Sequence, residues 1–274
     1  MLLLEPHHII DLYCEVDGRI VKEPPRARGG RPAMLSTSEM ATILIWNTLV
    51  VKQKTLRDLH QWLVLYHAKD FKTLPKYKAF VAHCHRLIPA LCELLESTFE
   101  TNAPLRFMDS TMIPVCKYVR AEHHRVAKNI AQFGKNHQGW HYGFKLHASV
   151  NNEGKICQMA FTPANIHDAQ MMPSVLNTHA RIAVGDSSYG ARVMGRMIWE
   201  RYGTAIIAPP HYKQKKKIMT WWQHLLLTMR PKIESVFDYL KEHLHLVSSF
   251  PRSVSGYLLH YVRILLGYQA MRGF

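Results

Sequence analysis

The feature that most constrains the fold is a strict alternation of apolar and polar residues over positions 140–150. A period of two residues is typical of a β-strand with one buried face and one exposed face. The apolar face comprises Trp140, Tyr142, Phe144, Leu146, Ala148 and Val150. The polar face includes His141, Lys145, His147 and Ser149. Residues 151–154, Asn-Asn-Glu-Gly, have the composition of a turn, and the apolar run at 156–161 predicts the returning strand of a hairpin.

The first hundred residues show the apolar spacing of helices rather than of strands. Ser36 or Ser38 is placed to cap a helix at its N-terminus. Further helical spacing covers residues 56–66 and 77–95, and Pro89 is expected to kink or divide the second of these. The N-terminal part of the chain is therefore predicted to be all-helical.

The pattern changes at Pro104, after which strands and helices alternate. The predicted elements are a strand at 105–108, the hairpin at 140–161, a helix at 168–176, a strand at 181–185, a helix at 193–202, a strand at 204–208 and a helix carrying Glu234. This order predicts an α/β fold, with a mixed sheet flanked by helices that begins with antiparallel strands and continues with parallel ones. We therefore expect a helical region at residues 1–103 and an α/β domain at residues 104–274.

The composition indicates a polyanionic partner, because 35 Lys and Arg residues against 20 Asp and Glu residues give a net charge of +15. No apolar run reaches the length of about 18 residues that a membrane-spanning helix needs, so no membrane partner is expected. The five cysteines are scattered and form no CxxC pair, which favours neither a zinc ribbon nor a disulfide framework. A reducing, cytoplasmic location is the expectation.

Three acidic residues occupy positions suited to chemistry. Asp109 ends the first predicted strand, Asp186 follows the strand at 181–185, and Glu234 lies in the late helix. Ligand crevices form beyond the ends of strands in open α/β sheets, so the two aspartates are expected to converge there. Carboxylate oxygens suit Mg²⁺ or Mn²⁺, and two such ions stabilise the entering and leaving oxygens of a phosphoryl transfer.

The geometry of the late helix adds two basic residues to this group. At about 100° per residue, Glu234 and Lys241 lie together on one flank of the apolar stripe. Arg230 precedes a proline and is expected at the helix cap, close to Glu234. The spacing alone does not exclude ordinary structural roles, in which Glu234 pairs with Lys241, Asp186 caps a turn and Asp109 merely ends a strand.

An ordered set of motifs carries a family resemblance across residues 104–269. The motifs are Met108-Asp109-Ser110-Thr111, Tyr142-Gly143-Phe144-Lys145-Leu146-His147, Thr162-Pro163-Ala164-Asn165-Ile166-His167-Asp168, Gly185-Asp186-Ser187-Ser188-Tyr189-Gly190 and Arg230-x₃-Glu234-x₆-Lys241. Together they resemble bacterial insertion-sequence transposases of the DDE type, most closely the insertion sequence 982 group. Leu227 stands where related enzymes carry a tyrosine.

The resemblance implies an RNase H-like catalytic core in which Asp109, Asp186 and Glu234 bind two Mg²⁺ or Mn²⁺ ions. It implies that Arg230 and Lys241 clamp phosphates. The implied reaction is hydrolysis at the ends of a mobile element, followed by attack of the exposed 3′-hydroxyl on target DNA. The implied partners are double-stranded DNA, as terminal inverted repeats and target, and a second copy of the chain on that DNA. The helical N-terminal region would bind DNA, and the enzyme would be cytoplasmic and nucleoid-associated.

Several other residues have two interpretations. The basic run Lys213, Lys215, Lys216 and Lys217 either lines a DNA path or forms a solvated loop. The pair Trp221 and Trp222 could stack on an unpaired base, although core packing of at least one indole is the favoured expectation. Asp168 is the next candidate ligand if one of the three carboxylates fails.

Two other functions are compatible with the same residues. One is a nuclease of the same fold that cuts without strand transfer. The other is a catalytically inactive DNA-binding relic of a transposase. Retention of all three acids, with Arg230 and Lys241, argues against the second.

Overall fold

A computed structural model describes residues 9–20, 34–71, 73–136, 139–210 and 218–274. The chain divides into two compact units. The helical unit comprises Met1–Thr98 with Phe250–Phe274, and the sheet unit comprises Phe99–Ser249. Within the described residues, no helix combines the length and apolar character needed to cross a membrane.

The described residues contain ten α-helices and six strands. The helices are α1 (Ile9–Arg19), α2 (Thr37–Trp46), α3 (Leu56–Tyr66), α4 (Tyr77–Arg86), α5 (Ile88–Ser97), α6 (Met172–Val175), α7 (Arg192–Tyr202), α8 (Trp221–Thr228), α9 (Pro231–Asp238) and α10 (Val254–Met271). The strands are β1 (Leu105–Pro114), β2 (Gln132–Asn136), β3 (Gly139–Val150), β4 (Ile156–Pro163), β5 (Ile182–Val184) and β6 (Ala205–Ile207).

The helices of the N-terminal region begin where local chemistry predicts. Ser36 caps α2 in a capping box, in which its hydroxyl accepts from the Glu39 amide (3.1 Å) and the Glu39 carboxylate accepts from the Ser36 amide (2.6 Å). Thr55 caps α3, whose bounds match the predicted helix. Pro89 divides the third predicted helix, because α5 starts with Pro89 in its first turn.

The last helix of the chain belongs to the helical unit. α10 is buried along most of its length, and the Gln269 side chain donates to the Thr98 carbonyl (2.8 Å). The compact units therefore divide the chain differently from the expected boundary between residues 103 and 104. The functional division into 1–103 and 104–274 stays a prediction.

The sheet of the second unit is mixed, as predicted. Its strand order is β2-β3-β1-β5-β6, and β4 also pairs with β3. β1 to β4 pair antiparallel, whereas β1, β5 and β6 are parallel. α7 connects β5 to β6, and Gly203 ends it in the left-handed conformation at φ +67°. This part of the chain is therefore a mixed α/β structure.

Three details of the sheet unit differ from the predictions. The first strand does not end at Asp109 but continues to Pro114, because its second half stays paired with β3. β2 was not predicted, since its sequence is polar and contains a glycine. The predicted helix at 168–176 is reduced to the 3₁₀ turn Asp168–Met171 and the single turn of α6.

β3 is buried more completely than its alternating sequence predicts. From Lys145 to Val150 every residue is buried, including the polar His147 and Ser149. The Ser149 hydroxyl donates to the Val175 carbonyl in α6 (2.6 Å), so the polar face is covered by the segment that follows β4. Polar side chains on a doubly covered strand need internal partners, and those partners shape the candidate site.

Beneath the sheet edge, the Tyr189 ring packs tightly against Gly185. A Cβ atom at Gly185 would lie 2.7 Å from the Tyr189 Cδ2 atom. Tyr189 is buried in a hydrophobic cluster with Met108, which precedes Asp109, and with Ala183, which lies in the strand before Asp186. This contact supports the turn that carries Asp186.

We expect Gly185→Ala to destabilise the protein by about 1–3 kcal/mol, because the added methyl group must displace the Tyr189 ring. Urea unfolding measures the change. Gly195→Ala is the matched control, since a Cβ atom at this position in α7 has no atom within 4 Å and should be neutral or stabilising. Equal stability of Gly185→Ala and wild type would contradict the packing described.

Candidate active site

The pairing of β1 with β5 brings two aspartates together. Phe107 lies opposite Val184 in the last pair of this parallel ladder. Asp109 and Asp186 each follow two residues later. They therefore occupy equivalent positions just beyond the paired part of β1 and β5. Both carboxylates line the same cleft, and the charge of Asp186 contributes to the raised pKa of Asp109.

α9 brings the third acid and a basic residue to the same place. Arg230 is the N-cap residue of α9, and Glu234 follows one turn later. Arg230 donates to the Asp109 carboxylate (Nη1 to Oδ2, 3.3 Å) and to the Glu234 carboxylate through Nη2. Lys241 lies in the π-helical segment Tyr239–His243 that continues α9. Glu234 therefore pairs with Arg230 rather than with Lys241.

These residues line one cleft of about 620 Å³. Its acidic lining residues are Asp109, Asp168, Asp186, Glu234 and Asp238. Its basic lining residues are Lys135, Lys145, Arg230 and Lys241. The five residues predicted as catalytic or phosphate-binding within the described part of the chain thus share one cavity.

Arg230 occupies the space between two of the proposed metal ligands. Its guanidinium contacts Asp109 and Glu234 at once, so a cation already stands between these carboxylates. In the described part of the chain, no three His, Cys, Asp or Glu side chains are close enough to hold one metal ion. The oxygen chemistry of the cleft fits a hard divalent cation, and Arg230 is the group that such an ion would have to replace.

Burial is the main reason that the pKa of Asp109 is raised to about 7. The charges of Asp186 and Asp168 raise it further, whereas the Ser110 amide hydrogen bond (2.8 Å) and Arg230 act in the opposite direction. Burial also lowers the pKa of Lys241, although nearby acids, Asp109 among them, oppose this effect. The cleft therefore disfavours isolated charge of either sign.

Asp186 is held by the turn that follows β5. Its Oδ1 atom accepts hydrogen bonds from the Ser188 amide (2.9 Å) and the Ser188 hydroxyl. Asp186 thus caps a turn, and the same carboxylate lines the cleft. The buried Tyr189 has its pKa raised, first by burial and then by the charges of Asp168, Asp109 and Asp186.

Asp168 is the centre of a polar network that the sequence did not resolve. Its Oδ1 atom accepts from the Ser110 hydroxyl (2.7 Å) and from the Lys145 ammonium (3.1 Å). Lys145 also donates to the Ile166 carbonyl (2.9 Å). His147 lies beside the network, with Nδ1 3.6 Å from the Asp168 carboxylate, and burial lowers its pKa to about 4. The signal for Lys145 and His147 was their shared polar face on the alternating strand.

The remaining predicted residues have different outcomes. Lys213, Lys215, Lys216 and Lys217 lie outside the described residues. The expectation that Trp221 or Trp222 packs in the core is wrong, because the two side chains are 75% and 55% exposed. They lie on the exposed start of α8, whose only buried residue is Leu226.

A cleft that combines carboxylates with fixed cations is suited to phosphoryl transfer, in which metal ions and basic side chains balance the charge of the phosphate. The comparison with protein families also indicates an enzyme that acts by phosphoryl transfer. Residues 100–254, more than half of the chain, match the model of the transposase DDE domain, and the chain belongs to this family. A comparison with curated proteins found no match.

In metal-free protein, we expect Asp109→Asn to be more stable than wild type at pH 8 and to lose this advantage near pH 4. The pKa of Asp109 is raised from 3.8 to about 7 in the folded state, so its favourable contribution is present at low pH and is lost as pH rises through 7. Thermal unfolding in a chelator at several pH values measures the difference. The exposed Glu200→Gln should show no such trend, and a pH-independent difference for Asp109→Asn would contradict the raised pKa.

We expect Asp168→Asn to destabilise the protein by about 3 kcal/mol, because it leaves the buried Lys145 ammonium without its counter-ion. Adding Lys145→Met should recover part of the loss. Urea unfolding at pH 7 compares these variants with Glu200→Gln, which breaks an exposed pair with Arg196 and should cost under about 1 kcal/mol. A double variant less stable than Asp168→Asn would show that the ion pair is not the cause.

Proposed function

We propose that the protein is a DDE transposase of the insertion sequence 982 type. It cleaves DNA at the ends of a mobile element and transfers the 3′-hydroxyl strand into target DNA. The observation that carries the proposal is the cleft in which Asp109, Asp186 and Glu234 meet Arg230 and Lys241. These five residues come from three segments that only the fold brings together, namely β1, the turn after β5, and α9 with its continuation. All three lie within the region that matches the transposase DDE domain.

The fold supports an RNase H-like catalytic core. A central strand, β1, carries Asp109 and pairs antiparallel with β3 on one edge and parallel with β5 on the other. The second aspartate follows β5, and the glutamate lies on α9, which packs against β1 within the sheet unit. This arrangement directs three carboxylates from two strands and one helix toward the same edge.

We propose that Asp109, Asp186 and Glu234 hold two Mg²⁺ or Mn²⁺ ions. Such ions supply Lewis acidity that stabilises the charge on the entering and leaving oxygens. Without an ion, Arg230 neutralises Asp109 and Glu234. On DNA, Arg230 and Lys241 would bind phosphate oxygens instead, since a guanidinium suits two phosphate oxygens and an ammonium acts as a point charge.

The proposed partners are DNA duplexes and a second copy of the chain. Two ends of an element must be held together, which favours a homodimer on DNA. Residues 1–103 are proposed to bind DNA, and Lys213, Lys215, Lys216 and Lys217 to follow the backbone through their charge. A cytoplasmic, nucleoid-associated location goes with this proposal.

The proposal predicts metal-dependent cleavage of DNA that carries the ends of the element encoding this chain. Asp109→Asn, Asp186→Asn and Glu234→Gln should each reduce the cleavage rate by about 100-fold or more, the scale of losing one group that stabilises transition-state charge. Gel analysis of labelled DNA with Mg²⁺ or Mn²⁺ measures the rates. Glu200→Gln, an exposed acid of α7 that does not line the cleft, is the control and should cut at the wild-type rate. Full activity in any one of the three variants would remove that residue from the site.

The same assay with pre-cleaved end DNA separates the two alternative functions. Joined products support strand transfer. Cutting without joining would identify a nuclease of the same fold. DNA binding without cutting or joining would identify an inactive transposase relic.

A further inference from the structure

The helical unit contains a second pocket, of about 440 Å³. It is lined by the loop before α3, by α4, and by the loop and first turns of α10. Its basic and imidazole side chains are Lys54, Arg57, His85, Arg252, His260 and Arg263. None of the described residues that line it is an aspartate or glutamate. The pocket therefore has a strongly positive lining.

Arg263 is the most unusual member of this lining. It is only 8% exposed, yet its side chain contacts the ring nitrogen Nδ1 of His260 (3.3 Å) and no carboxylate in the described part of the chain. Burial lowers the pKa of Arg263 to about 10. A buried guanidinium without a counter-ion is costly, and such groups are normally paired with an anion.

A second buried polar group in the same pocket lacks a partner. The Nδ1 atom of His85 is buried and has no hydrogen-bond partner among the described residues. His85 and Arg263 come from different helices, α4 and α10, and both line the pocket. The pocket therefore contains a buried His85 nitrogen without a hydrogen bond and a buried Arg263 charge without a counter-ion among the described residues.

The pocket also receives the N-termini of two helices. Thr55, the N-cap of α3, and Ser253, the N-cap of α10, both line it. The N-terminus of a helix carries partial positive charge and favours phosphate groups. α10 has no acidic residue in its first turn to neutralise this charge. In α3, the Asp58 carboxylate accepts a hydrogen bond from the Thr55 hydroxyl, and Asp58 does not line the pocket.

We propose that this pocket binds a phosphate group of the DNA backbone. A phosphate diester supplies the anionic oxygens that Arg263 lacks. Lys54, Arg57 and Arg252 are exposed at the same site and can follow the neighbouring backbone. The choice of DNA as the source of the phosphate rests on the proposed function, whereas the anion site itself does not.

The test compares two double variants of the full-length chain. Arg57→Gln with Arg252→Gln removes two exposed charges from the pocket, and Lys78→Gln with Arg86→Gln removes two exposed charges from α4 outside it. Binding of a fluorescent DNA duplex is followed by anisotropy at several NaCl concentrations in EDTA. The pocket variant should bind more weakly, and its slope of log affinity against log salt should be smaller by about 0.9 for one lost phosphate contact. The control variant should keep the wild-type slope.

The outcomes that overturn the proposal are distinct. Equal slopes for the pocket variant and wild type, or equal losses in both double variants, would show that the pocket does not bind the backbone. If inorganic phosphate raises the unfolding temperature of wild type but not of the pocket variant, while the DNA slopes are equal, the site takes a small free phosphate instead. Because EDTA prevents cleavage, failure of this test is separate from failure of the proposed reaction.

Discussion

Carboxylates crowded beside an apolar sheet need a cation, and this requirement organises the cleft that Asp109, Asp186 and Glu234 line. Arg230 forms ion pairs with both Asp109 and Glu234, and Lys145 forms an ion pair with Asp168. Arg230 reaches Asp109 in β1 from the start of α9, and Lys145 reaches Asp168 from β3, so these two ion pairs connect α9 and the segment after β4 to the sheet. Burial raises the pKa of Asp109 most, and the charges of Asp186 and Asp168 raise it further in spite of Arg230.

The sequence predicted the acids of the cleft because their positions follow from local pattern. Asp186 follows a short apolar run that was predicted as a strand and forms β5, and the 3.6-residue period of α9 places Glu234 beside its buried face. The Arg230 contact with Glu234 lies within one helical turn and was foreseeable, whereas its contact with Asp109 spans 121 positions of the chain. The Asp168 network likewise depends on three segments that only the folded sheet unit brings together.

The errors have equally physical causes. β1 appeared short because Asp109 and Ser110 interrupt its apolar run, yet strand pairing with β3 does not require apolar side chains. At least one of the indoles of Trp221 and Trp222 was expected to pack in the core, but α8 exposes both in its first turn. Apart from these errors, the structure groups α10 with the N-terminal helices, which its own apolar sequence does not specify. The functional division at residues 103 and 104 is not decided by this grouping.

Because the helical unit is assembled from both ends of the described chain, the two units complete at different times during translation. Every residue of the sheet unit has been synthesised before residues 250–274 exist. The cleft lined by Asp109, Asp186 and Glu234 can therefore form while the N-terminal helices still lack the buried α10. The second pocket can form only after Arg263 has emerged. A nascent chain would thus complete the carboxylate-lined cleft before the pocket that contains Arg263.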